Sequence, residues 1–180
     1  MFELRKLRRS CERRLANLPL PDPFTLDGLV ANVEEKLGRR IHLVPIEDDG
    51  DMRTACGLRV RTQEETFVFY RRRPSVVQEE HIILHELTHE LFNHTTDLAE
   101  EQLTTLVPRS AVNRIVGLGG KAVLQARARY DTDEEEEAEL GAYIMGRLSN
   151  RCRAPIGDDL VSQLERTLCH PVASAQRVRS

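Results

Sequence analysis

Paired cysteines are missing from this chain of 180 residues: Cys11, Cys56, Cys152 and Cys169 stand far apart, with no CxxC spacing. That argues against both a cysteine zinc site and a secreted disulfide scaffold. It reads as reduced thiols in a cytosol. No signal peptide is expected either, because the charged N-terminus is followed by no apolar h-region before Pro21. No apolar run approaches membrane-spanning length. Net charge is −3, so no overall basic field points to nucleic acid. Neither an internal repeat nor a Walker spacing is present, and Gly117-Leu-Gly-Gly-Lys121 reads as a loop. A soluble, cytoplasmic protein with no membrane partner is expected.

The composition is that of a globular chain, 31% charged and 40% hydrophobic, and its length suits one domain with a real core. Charge is unevenly spread. Residues 1–17 carry Arg5, Lys6, Arg8, Arg9, Arg13 and Arg14 against Glu3 and Glu12, while residues 131–139 hold seven acids. The basic segment reads as a solvated or partner-facing surface, and direct nucleic-acid binding is not expected.

Periodicity orders the elements. Leu4, Leu7, Cys11, Leu15 and Leu18 share one side of a first helix, which the prolines of 18–24 end. Thr25 caps a second helix that runs to Leu37 and stops at Gly38. Strands are expected at Ile41–Pro45, Cys56–Arg61 and Glu65–Arg71, with a turn at Asp48–Asp51. Ser75 and Gln78 resemble a capping box opening a helix over 75–93. Apolar residues surround the middle of that helix, so it should lie in a core. Short helices around 97–106 and 109–116, a helical stretch up to Tyr130, a helix from Asp131 to Ser149 and an amphipathic helix from Asp158 to Cys169 complete an α+β arrangement.

The buried helix carries His85-Glu86-Leu87-Thr88-His89. Residues four apart stand on one helix face, so His85 and His89 can offer two imidazoles to one metal ion. Glu86 is turned about 100° away and can reach a water on the metal without being a ligand, as a general base must. A polar triplet in a buried helix costs several kcal/mol unless something satisfies it, and a metal would. Zinc bound by two histidines needs a third protein ligand and one open position. The acids of 131–139 are the candidates. Ala138, Ala142 and Met145 mark the inward face; Glu135 and Glu134 both border it, and Glu136 points away. Most of these acids read as a solvated helix start favoured by the dipole.

His85-Glu86-Leu87-Thr88-His89, taken with Glu135-Glu136-Glu137-Ala138-Glu139-Leu140-Gly141-Ala142 and the preceding Gln78–Leu84, resembles the ImmA/IrrE family of zinc-dependent metallopeptidases. The likeness extends loosely over 25–148 and is similar to short members from actinobacteria and their phages. It implies a zincin-like α+β fold, a small sheet packed on a buried HExxH helix with a mostly helical C-terminal half. The divisions it implies are 1–20 as amphipathic helix and linker, 21–150 as the peptidase region, and 151–180 as a C-terminal helix and tail.

The resemblance makes Zn2+ the cofactor, with His85, His89 and Glu135 as ligands and Glu86 as the catalytic residue. Glu139, in the place of the family's usual Asn, would be an outer partner of the ligands. His81, on the same face as His85, is read as another such partner rather than a fourth ligand. Thr88 stands where Gly is commoner, Gly141 where Phe is, and Met145–Leu148 lacks the usual Leu-Met-Pro ending. The function implied is an endopeptidase cleaving a regulatory protein such as a helix-turn-helix repressor, in phage, mobile-element or toxin–antitoxin biology. The competing expectation is a non-catalytic, metal-containing regulator that acts by binding a partner.

Three further expectations concern single features. His94 and Tyr143 are candidates for oxyanion stabilisation that periodicity cannot place. His42 and His170 read as ordinary polar residues. By likeness to zincin-like peptidases, the strand at Thr66–Tyr70 can pair with an extended peptide.

Overall fold

A computed structural model describes residues 2–46, 57–62, 64–94 and 132–152. They form helices α1 (Phe2–Leu15) and α2 (Leu26–Leu37), strands β1 (Arg40–Ile46), β2 (Gly57–Arg61) and β3 (Glu65–Arg71), and helices α3 (Val76–Leu91) and α4 (Thr132–Cys152). The described residues are α+β: a three-stranded sheet with four helices. Among the described residues no helix is long and apolar enough to cross a membrane. The expected turn at 48–51, the helical stretches of 97–130, the glycine loop and the helix of 158–169 lie outside the described residues.

Local chemistry explains the element ends. The Thr25 hydroxyl accepts from the Gly28 amide at 3.1 Å, and α2 stops at Gly38, whose φ of 64° needs no Cβ to be avoided. The expected capping box at Ser75 does not form: its side chain makes no cap hydrogen bond. Glu79 does the anchoring instead, accepting from the Arg73 amide at 2.7 Å. Its carboxylate also lies 3.6 Å from Arg72, so the acid one place beyond Gln78 holds the entry into α3.

The strand order is β1-β3-β2, with β1 parallel and β2 antiparallel to β3. The central strand is therefore β3, hydrogen-bonded on both sides. This removes its expected role as a pairing edge for peptide, because its ladder groups are already used.

Registers place Ile41 and Leu43 of β1, Thr66 and Val68 of β3, and Gly57, Arg59 and Arg61 of β2 on the same face of the sheet. That face meets α3. Ile41 and Val68 join a core completed by Leu29 and Val33 of α2, Ile83, Leu84 and Leu87 of α3, and Ala142 and Met145 of α4. Cys11, Leu15 and Leu18 belong to the same core, which ties α1 to α4. Leu4 does not join it and is 65% exposed.

Where β2 faces α3 it carries two arginines rather than apolar residues. Glu90 of α3 answers them: Arg59 at 2.8 Å, Arg61 at 3.0 Å, and the Thr66 hydroxyl donating at 3.0 Å. Arg59 and Glu90 are each 1% exposed, and Arg59 also donates to the His94 carbonyl at 2.8 Å. This buried polar knot fixes the C-terminal end of α3 against the sheet.

Candidate metal centre

α3 and α4 pack side by side and supply the site. Gly141 of α4 sits on Thr88 of α3 so closely that an added Cβ would lie 2.4 Å from Thr88 Cγ2. Thr88 is held in turn by its hydroxyl, which donates to the Leu84 carbonyl at 2.7 Å. This close crossing brings the start of α4 over the last turns of α3.

His85 Nε2 and His89 Nε2 are 3.0 Å apart. Glu135 reaches both, with Oε1 3.2 Å from His85 Nε2 and Oε2 3.7 Å from His89 Nε2. His85, His89 and Glu135 thus form a group that could hold a metal ion. Atoms about 2.0–2.1 Å from a common zinc at tetrahedral angles lie roughly 3.3 Å apart, close to the spacings found here. A second sign of fit is Glu135 Oε2, shielded from solvent yet without a hydrogen-bond partner. Of the two acids left open by periodicity, Glu135 is the one in the group; Glu136 is exposed, as expected.

The charges suit a cation. His85 and then His89 hold the Glu135 carboxyl down at about 2, far below an ordinary carboxylate. Burial pushes His89 down to about 4, so its ring is neutral at pH 7. Burial acts the same way on His85, but Glu135, with the charges of Glu86 and Glu139, outweighs it and leaves His85 above its ordinary value. The carboxylate of Glu135 and the neutral ring of His89 are the forms in which these side chains bind a metal ion.

Glu86 is 2% exposed and lies beneath the first residue of β2. A Cβ at Gly57 would meet Glu86 Oε1 and Ile82 Cγ2, each at 2.8 Å, so only glycine lets the strand pass over this carboxylate. Glu139 Oε2 is 3.4 Å from His85 Nδ1, and its Oε1 is 3.1 Å from His81 Nε2. His81 is thus occupied with Glu139 and stands outside the group that could hold a metal.

The two oxyanion candidates are placed elsewhere. Tyr143 is 53% exposed and lies under Arg147, 5.9 Å from the guanidinium carbon to the ring centroid. His94 is buried behind His89, Nδ1 to Nδ1 at 2.8 Å, with Nε2 3.1 Å from Glu137 Oε2. Burial lowers the His94 pKa while Glu137 opposes that shift. His42 stacks on Phe67 at 4.8 Å, away from α3, as suits a polar residue on the sheet's other face.

Glu137, Arg14 and Glu90 had no separate signal in the sequence, since acids and arginines abound there. His94 had one. Asn93 adopts φ 51°, its amide donates to Glu90 and the His94 amide to His89. This is a Schellman ending, in which the second residue past the helix cap is brought against the one five places back. An Asn at the end of an apolar helix pattern was therefore a cue that His94 would touch His89.

Comparison with protein-family models, curated proteins and solved structures finds no match to this chain.

Proposed function

We propose that this chain is a zinc-dependent endopeptidase of the ImmA/IrrE type, with a zincin-like arrangement of sheet, HExxH helix and glutamate-bearing helix. The observation that carries the reading is the convergence of His85, His89 and Glu135, from two helices, beside the buried carboxylate of Glu86. Glu135 lies against the two histidines while Glu86 is buried under Gly57 of β2, a division of labour that suits a metal hydrolase.

In this reading His85, His89 and Glu135 hold the ion. When bound, zinc supplies Lewis acidity, polarising the scissile carbonyl and acidifying the attacking water. Glu86 takes the proton of that water and returns it to the leaving amine. Burial against Gly57 and Ile82 shields its carboxylate from bulk water and restricts its rotamer. His81 is engaged by Glu139, so His85, His89 and Glu135 would be the protein ligands of a hydrolytic zinc. The proposed substrate is a regulatory protein of the helix-turn-helix repressor class, on the strength of the resemblance alone.

The departures at 88 and 141 also fit this reading. Thr88 is larger than the commoner Gly and Gly141 smaller than the commoner Phe, and the two residues lie on each other. They form one exchanged contact between the ligand-bearing helices rather than two separate losses.

The test is Glu86→Gln. The variant should keep one zinc per chain and lose cleavage of regulators encoded beside the gene by at least about 100-fold, read by mass spectrometry of the products. Full biological activity in that variant would favour a regulator acting by partner binding and sink the peptidase reading.

A further inference from the structure

Beyond the ligands lies a chain of contacts running from α1 to the metal group. Arg14 Nη1 is 2.8 Å from Glu137 Oε2, the same oxygen that lies 3.1 Å from His94 Nε2, and His94 Nδ1 is 2.8 Å from His89 Nδ1. Arg14 is itself fixed twice more, by donating to the Phe92 carbonyl and by lying 3.9 Å over the Phe92 ring. His89 and His94 are almost wholly buried, and Glu137 is mostly so.

We propose that Arg14, Glu137 and His94 are positioning residues that set the tautomer and ring orientation of His89, so that α1 is part of the metal centre. The proposal rests on the metal reading above and goes one layer further out.

The direction of every bond follows from one end. A carboxylate only accepts, so Glu137 accepts from Arg14 and from His94 Nε2–H. A neutral His94 with its proton on Nε2 has only a lone pair on Nδ1. His89 must then donate through Nδ1–H, which leaves the His89 Nε2 lone pair facing His85 and Glu135. The opposite order would put a proton on His89 Nε2 and block it as a ligand. Metal-binding histidines commonly donate their other ring N–H to a carboxylate or carbonyl, and loss of that partner costs about 10–100-fold in affinity. His85 has Glu139 at its Nδ1 directly, whereas His89 reaches its carboxylate through an inserted imidazole. The Schellman ending at Asn93 supplies the geometry, because it folds His94 back onto His89.

The experiment measures Zn2+ affinity of the full chain by competition with a chromogenic chelator. His94→Phe, similar in bulk but without an acceptor, should bind zinc about 10–100-fold more weakly. His94→Asn, whose Oδ1 can accept near the former Nδ1, should recover most of that loss, which a bare packing role would not predict. Long-range 1H–15N correlations on zinc-loaded wild type provide a readout independent of any variant. They should show His89 protonated on Nδ1 and His94 on Nε2. A His94 proton on Nδ1, or His94→Phe binding zinc as tightly as wild type, overturns the relay and leaves the metal reading standing. Wild type that takes up no zinc overturns the metal reading, and the relay with it.

Discussion

Glu90 sits four residues past Glu86 on the same helix and meets different neighbours. Both are buried, but Glu90 is ringed by Arg59, Arg61 and Thr66, whereas Glu86 lies against Gly57 and Ile82. Removing one partner of a buried ion pair strands the other charge. Glu90→Ala should therefore cost about 3–5 kcal/mol in urea denaturation, and a cost near zero would show that the knot does not hold α3 to the sheet. Cys11 illustrates burial acting on a thiol. Burial, and next the charge of Glu137, raises its pKa from 9.0 to about 11, and it is 0% exposed. The folded chain keeps the thiol neutral where the unfolded chain ionises. The contribution to stability is thus full below pH 9 and is lost as pH rises toward 11. In native protein at pH 8 Cys11 should resist iodoacetamide and become labelled only on unfolding; rapid native labelling, located by peptide mapping, would contradict its burial.

Between elements, the contact of α3 with α4 decides whether His85, His89 and Glu135 meet. Gly141 permits an approach that any side chain would obstruct, and the nearest atoms belong to Thr88. Gly141→Leu should destabilise by about 1–3 kcal/mol through overpacking and weaken zinc binding by displacing Glu135. Thr88→Gly in the same chain should restore part of both, because the two positions share one space. Strictly additive effects, measured by thermal melts and metal competition, would mean that the two residues do not compensate. The elements themselves were mostly visible in the residue pattern. Thr25 and Gly38 bound α2, and Glu65–Arg71 reads as a strand from its β-formers and is one. Ser75 misled because capping propensity states what a side chain can do, while a nearby carboxylate, Glu79, met the backbone first. β3 misled as a substrate edge because pairing depends on strand order, which a strand's own residues do not encode.

Across the whole molecule, Glu135 lies 46 positions after His89, so a shared ion would close a long loop. Zinc binding to the folded form alone stabilises it by RT ln(1 + [L]/Kd), about 4 kcal/mol at a thousandfold excess over Kd. Zinc should raise the melting temperature by several degrees and EDTA should lower it, in step with metal content by mass spectrometry. Equal melting with and without zinc would argue against a metal bridge between α3 and α4.

By itself the amino-acid sequence determined the buried helix, the His85/His89 pair, Glu86 beside it and a shortlist of acids. All four follow from helical periodicity, which is a local property of the chain. Only the tertiary structure brought Glu135 against His85 and His89, set His94 behind His89, and joined Arg14 of the first helix to that group. Those choices depend on how two helices cross and where a chain turns back. Such distances are set by packing between segments far apart in sequence, and no single segment contains them.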